Sequence, residues 1–180
     1  MKNWNVLVTA QPGWGRELHL LRALNLLGEF HPTQFKDVCT GRVEDVTRFL
    51  DALLRAREAN ERWTRDLARV IPVERTFRFA PEDLATQLKQ AVAPFAQRMA
   101  GGSFHVRLER RGLIGQVTSP EVEREVADHL FALLEDRGKD LHASFREPDY
   151  IVAAETLDDE CGVALLTREV MERYPFVQAR

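Results

Sequence analysis

Hydrophobic positions along this 180-residue chain repeat with two periods, one near two residues and one near three and a half. Trp4 to Thr9 predicts a strand, and Gln11-Pro12-Gly13-Trp14-Gly15 predicts a turn into a helix carrying Leu18, Leu21 and Leu24 and closing near Gly28. Phe30 to Val43 alternates weakly through Phe35 and Val38, broken by Pro32 and Cys39-Thr40-Gly41, which suits two strands or one broken strand. Asp45 to Asn60 predicts a helix with the stripe Val46, Phe49, Leu50, Leu53 and Leu54. Val70 to Phe79 returns to strand character through Val73, Phe77 and Phe79.

That order, strand, helix, strand, strand, helix, strand, is the ferredoxin-like one, and a boundary falls near Ala80-Pro81. The expected fold class is therefore α+β, an N-terminal ferredoxin-like domain over 1–79 followed by an α/β domain over 80–180. Pro81 opens a helix with Leu84, Leu88, Val92, Phe95 and Met99 on one face, and Pro94 should kink it. Gly101-Gly102 releases the chain into Phe104-His105-Val106-Arg107-Leu108-Glu109, a strand with one apolar and one charged face, ending in Arg110-Arg111-Gly112. Ser119 is placed to cap a helix with Pro120 at its first helical position and a stripe of Val122, Val126, Leu130, Leu133 and Leu134. Tyr150 to Leu157 and Cys161 to Thr167 are almost continuously apolar, as strands covered on both faces are, and Asp158-Asp159-Glu160 makes a hairpin-like turn between them. Glu169 to Tyr174 predicts a short terminal helix.

The net charge of −3 divides unevenly, +3 over residues 1–79 and −6 over 80–180. Bulk electrostatics therefore do not mark the second half as a polyanion binder, and any nucleic-acid contact there needs a local basic patch. Cys39 and Cys161 belong to no close-spaced ligand pattern and read as buried or half-buried thiols. The first residues are interrupted too early for a secretory leader and no run approaches a membrane span, so a cytoplasmic location is expected.

Candidate chemistry is sparse. Gly13-Trp14-Gly15 follows a strand but lacks the third glycine and the Lys-Ser/Thr of a phosphate loop, so it reads as a tight turn rather than a nucleotide site. Glu121, Glu123 and Glu125 suit the positive end of a helix dipole better than catalysis. The acidic turn at 158–160 reads as solvated carboxylates rather than a cation site. No catalytic residue, metal site or cofactor is expected. The charged strand end is different: guanidinium groups on a rigid element are suited to phosphate, although on that stretch alone a solvated sheet edge is the simpler reading.

Its neighbours change that balance. The ordered signals Phe104-x-Val106-x-x-x-Arg110-Arg111-Gly112, Ser119-x-Glu121, Pro148-Asp149 and Cys161-Gly162 resemble the THUMP domain, an RNA-binding module of tRNA-modifying proteins, over residues 81–176. Residues 1–79, with Pro12-Gly13 and Arg69-Val70-Ile71-Pro72-Val73, look like the ferredoxin-like domain that commonly precedes it. With nothing following Arg180, the chain looks most similar to the adaptor family that assists tRNA acetylation. That resemblance implies a non-catalytic protein holding the tRNA acceptor end while a separate acetyltransferase makes acetylcytidine. Arg107, Arg110 and Arg111, then Lys139 and Arg146, are the expected phosphate contacts, being the basic residues nearest the signals. Two other readings stand beside it: a protein-interaction module that keeps the fold without RNA, favoured by the acidic second half, and a small-molecule enzyme using the Gly13-Trp14-Gly15 turn.

Overall fold

The computed structural model describes residues 3–179; Met1 and Lys2, at the head of the stretch read against a secretory leader, and Arg180 lie outside them. The chain divides into two units, one running through Val73 and including Met171–Gln178, the other spanning Glu74–Val170. Among the described residues no helix is long and apolar enough to cross a membrane.

The first unit contains β1 (Val6–Ala10), α1 (Arg16–Leu24), β2 (Glu29–Pro32), β3 (Val38–Arg42), α2 (Val46–Glu58) and β4 (Leu67–Pro72). Its sheet runs β2-β3-β1-β4 with every pair antiparallel, so the β-α-β-β-α-β order expected for this half is present. Asp45 begins α2 by accepting the Arg48 amide at 3.0 Å, which satisfies one of the orphan donors of the first turn. Phe49, Leu50 and Leu53 are its buried stripe, as the spacing predicts. In α1 the buried leucines are Leu20 and Leu24, while Leu18 is 55% exposed. Four leucines in nine residues allow two apolar stripes that share Leu24, and packing buries Leu20 with it rather than Leu18.

The second unit contains β5 (Arg75–Arg78), α3 (Leu84–Val92), β6 (Gly102–Glu109), α4 (Ser119–Asp136), β7 (Leu141–Ala143), β8 (Tyr150–Leu157) and β9 (Glu160–Thr167). A last helix, α5 (Arg168–Arg173), follows β9. The sheet order is β5-β9-β8-β6-β7, with β6 parallel to both β7 and β8 and the remaining pairs antiparallel. Phe104, Val106 and Leu108 of β6 enter one cluster with Leu84, Leu88 and Val92 of α3 and Val126, Leu130 and Leu134 of α4. Alternation along β6 thus puts its apolar half in the core. At Pro94 the α-helix gives way to a 3-10 turn, because proline removes the amide that the next α-type bond needs. β8 and β9 are buried along nearly their whole length, as their continuous apolar runs predict.

Two elements differ from the pattern. Val70 to Phe79 is not one strand: the Val73 amide donates to Asn5 O at 2.8 Å in the first sheet, and the next amide, Glu74, donates to Val163 O at 2.9 Å in the second. The chain changes sheets across one peptide bond, and β5 pairs with β9. Residues 74–79 therefore fall with the second unit, and Met171–Gln178 with the first. Ser119 is already helical; Thr118 holds the cap position and neither side chain makes a capping bond.

Candidate nucleic-acid interface

The ordered signals of the second half become, in three dimensions, a set of fastenings. Arg111 lies past the end of β6, where its guanidinium meets the Glu155 carboxylate at 2.5 Å with side chains 10% and 2% exposed. Its amide donates to Thr156 Oγ1 at 2.9 Å, and its carbonyl accepts the Asp158 amide at 3.1 Å. Gly112, at φ 81°, sits so close to the following turn that a Cβ would stand 2.4 Å from Asp158 Oδ1. Arg110 donates to the Gly112 carbonyl. The Arg-Arg-Gly segment after β6 is thus fastened to the β8–β9 hairpin, at a left-handed position that favours glycine and where a Cβ would displace the Asp158 side chain.

Asp149 fastens the other end. Its carboxylate accepts the Ser103 amide at 2.9 Å and the Arg168 Nε at 3.1 Å, and its own amide returns to Ser103 O at 3.0 Å. The Ser103 amide, aided by the Arg168 charge, holds this carboxyl below the usual carboxylate range. Among the described residues, the outer edge of β6 has no strand partner beyond residue 104, and Glu123 of α4 accepts the Leu108 amide there at 2.8 Å. Arg107 approaches the same carboxylate at 3.8 Å while its side chain stays 45% exposed. Lys139 donates to the carbonyls of Ala96 at 2.6 Å and Gln97 at 3.3 Å, closing the 3-10 turn that follows α3.

Of the five basic residues expected at phosphates, Arg110, Arg111 and Lys139 are therefore engaged within the fold, whereas Arg107 and Arg146 reach solvent. His105 is two residues before Arg107 and contacts the turn that carries Arg146. It shares the charged face of β6 with Arg107, contacts Ser144 O at 3.0 Å through Nδ1, and its ring lies 5.4 Å from that of Phe145. Phe145, beside Arg146, is 83% exposed. The turn carrying both is held by the Ser144 amide on Phe104 O and by Arg168 on the Glu147 carbonyl, so the aromatic ring projects from a fixed backbone. A flat apolar ring, an imidazole and two guanidinium groups are the components that stack a splayed base and hold its phosphates. Sequence reasoning names His105 and Arg146 but passes over Phe145, whose place between Ser144 and Arg146 in a short connection was the available signal.

The buried thiols serve packing. Burial, with the Glu17 charge, pushes Cys39 up to about 12, and burial beside Glu155 pushes Cys161 higher still. Among the described residues no group of three or more His, Cys, Asp or Glu side chains is arranged to hold a metal. In the acidic turn, Asp159 accepts from Arg78 at 2.8 Å.

Residues 81–166 match the model of the THUMP domain. No curated protein matches this sequence. Among solved structures, TrmN from Thermus thermophilus is similar with a TM-score of 0.62 at 23% identity, covering 89% of this chain and 44% of that one. PH1313 from Pyrococcus horikoshii Ot3 gives 0.61 at 10% identity, covering 89% and 53%. A 4-thiouridine synthetase in complex with RNA and ATP gives 0.56 at 16% identity, covering 91% and 41%. The chain spans about half or less of the length of each, and at these identities the likeness is one of fold.

Proposed function

Residues 81–166 being a THUMP domain, a module that binds RNA, we propose that this chain is a tRNA-binding protein that presents its RNA to a modifying activity. The domain match is the observation that carries this reading. The exposed Arg107, Phe145 and Arg146, with the half-buried His105 against the Phe145 ring, support it by offering a place for an unpaired end, and the acceptor end is the tRNA segment whose terminal bases are free to splay. The finer reading is that of an accessory: the chain holds tRNA and a separate acetyltransferase forms acetylcytidine. Its support is the resemblance of the ordered signals, together with a first unit of β-α-β-β-α-β order ahead of the domain.

Titration of the full chain with total tRNA at increasing salt tests the first level. Affinity should fall steeply with salt, and Phe145→Ala with Arg146→Ala should weaken it by about tenfold or more. Unchanged binding in that double variant, or salt-insensitive binding, overturns the assignment, and a stable protein complex without any tRNA shift would replace it with the interaction-module reading. The finer level is tested by nucleoside mass spectrometry of tRNA from cells lacking the protein, where acetylcytidine should be absent.

A further inference from the structure

The first unit carries a second surface that the THUMP assignment does not explain. The turn after β1 places Trp14 between Gly13 at φ 141° and Gly15 at φ 76°. Two glycine conformations in three residues swing the chain outward before α1 begins, and the indole is 102% exposed. A tryptophan standing fully in water buries none of its large apolar surface and gives the fold nothing. Two grooves meet at it. One, of about 660 Å³, is lined by Trp14, Arg16, His19, Arg22, Arg62 and Arg65. The other, of about 570 Å³, lies past the same indole and is lined by Leu18, Leu21 and Pro32 together with Glu17, Lys36 and Asp37; the Glu17 carboxylate accepts the Asp37 amide at 3.2 Å.

The charge of the first groove is one-sided. Four arginines face it, and its single lining carboxylate, Asp66, is taken up by His19 Nδ1 at 2.8 Å and by Arg16 Nε at 3.9 Å. Arg22, Arg62 and Arg65 are all exposed. They come from α1 and from the 3-10 turn at Arg62–Asp66, 40 residues later in the chain, so folding is what assembles them. Guanidinium groups match phosphate oxygens in geometry as well as charge. An exposed indole flanked by an arginine groove, with Leu18 and Leu21 on its other side, supplies what an unpaired strand needs: a plane for one base, apolar side chains for its neighbour and cations for the backbone. A duplex does not offer its base faces, which are stacked on one another.

We infer that the Trp14 turn and the groove of Arg16, Arg22, Arg62 and Arg65 form a binding site for single-stranded RNA on the first unit. The site stands beside the reading of the THUMP domain rather than on it, and the two fail separately.

The test uses the full chain and an unstructured oligouridylate. Binding should quench tryptophan emission. Trp14→Phe should abolish that quench while retaining affinity within a few-fold in a labelled-RNA assay, because a phenyl ring still stacks. Trp14→Ala should lose about tenfold. Replacing Arg22, Arg62 and Arg65 together by Gln should lower the slope of log affinity against log salt by about 2, at roughly 0.7 per phosphate contact. Phe145→Ala with Arg146→Ala should weaken tRNA yet leave the oligouridylate quench intact, which separates this site from the proposed function. Inorganic polyphosphate and a mononucleotide are the controls. The inference is overturned if Trp14→Ala binds oligouridylate as wild type does or if the triple variant keeps the salt slope. It is equally overturned if Trp14→Ala weakens polyphosphate as much as RNA, or if the mononucleotide binds as tightly as the oligomer.

Discussion

The buried pair of Arg111 and Glu155 gives the sharpest test of how the second unit is held. Removing Arg111 leaves the Glu155 carboxylate, 2% exposed, without its guanidinium and in register with Glu109 on the adjacent strand. Breaking a buried pair from one side costs about 3–5 kcal/mol, whereas replacing both partners by apolar groups of similar size is close to neutral. Arg111→Ala and Glu155→Ala should each lower the urea midpoint of the second unit by about 2 M, taking about 4 kcal/mol and an m of about 2 kcal/mol/M. Arg111→Met with Glu155→Leu should come back to within about 1 kcal/mol of wild type. The sequence supplies an internal control. Trp4, Trp14 and Trp63 all lie in the first unit, so tryptophan emission reports that unit, while amide exchange at Val106, Leu108 and Val152 reports the second. A cost below about 1 kcal/mol in either single variant refutes the fastening argument. So does a double variant as unstable as the worse single. Should the double variant be stable yet unable to bind tRNA, Arg111 has a contact role after all.

Gly112→Ala should cost about 2–3 kcal/mol and Gly138→Ala about 1, since both demand a left-handed residue but only the first brings its Cβ against Asp158; thermal unfolding of the two variants compares them. The Asp149 carboxyl titrates below its unfolded value of about 3.9, so its stabilisation is full above that pH and is lost as pH falls through the lower folded value. Asp149→Asn should therefore flatten the loss of stability below about pH 4, read from acid-unfolding curves. Leu130→Ala, at a fully buried position of the α3-α4-β6 cluster, should cost about 2–5 kcal/mol in chemical denaturation. Cys39 and Cys161 should resist iodoacetamide at pH 8 in the folded chain and react together with unfolding, because both thiols are buried and held protonated.

The elements with a clear period were legible: β6 from its alternation, β8 and β9 from their continuous runs, α2 from its stripe. The division of Val70 to Phe79 was not, because apolar residues at Val73, Phe77 and Phe79 look alike whichever sheet receives them. β7 was invisible because three residues carry no period. Two of the four ordered signals were legible for the same reason that they prove structural. Arg111 and Gly112 in one and Asp149 in the other are confined by fixed partners, and such positions tolerate few residue types. A contact face carries no such constraint. Nothing local in the sequence shows that the Arg111 guanidinium meets a carboxylate 44 residues ahead, or that folding leaves Phe145 and Trp14 outside.

The Val70 amide on the edge of the first sheet donates to Phe176 O at 2.8 Å, with Val177 bridging alongside. That edge is closed by a segment about a hundred residues later in the chain, which gives the protein a timetable during synthesis. At about 5–20 residues per second, β4 emerges roughly 5–20 s before the strip that covers it. For that interval a nascent chain exposes a row of unpaired amides next to apolar strands, the kind of template that captures neighbouring chains. The first unit is begun early and finished last, and the ribosome-bound intermediate is the form of this protein most in need of a chaperone.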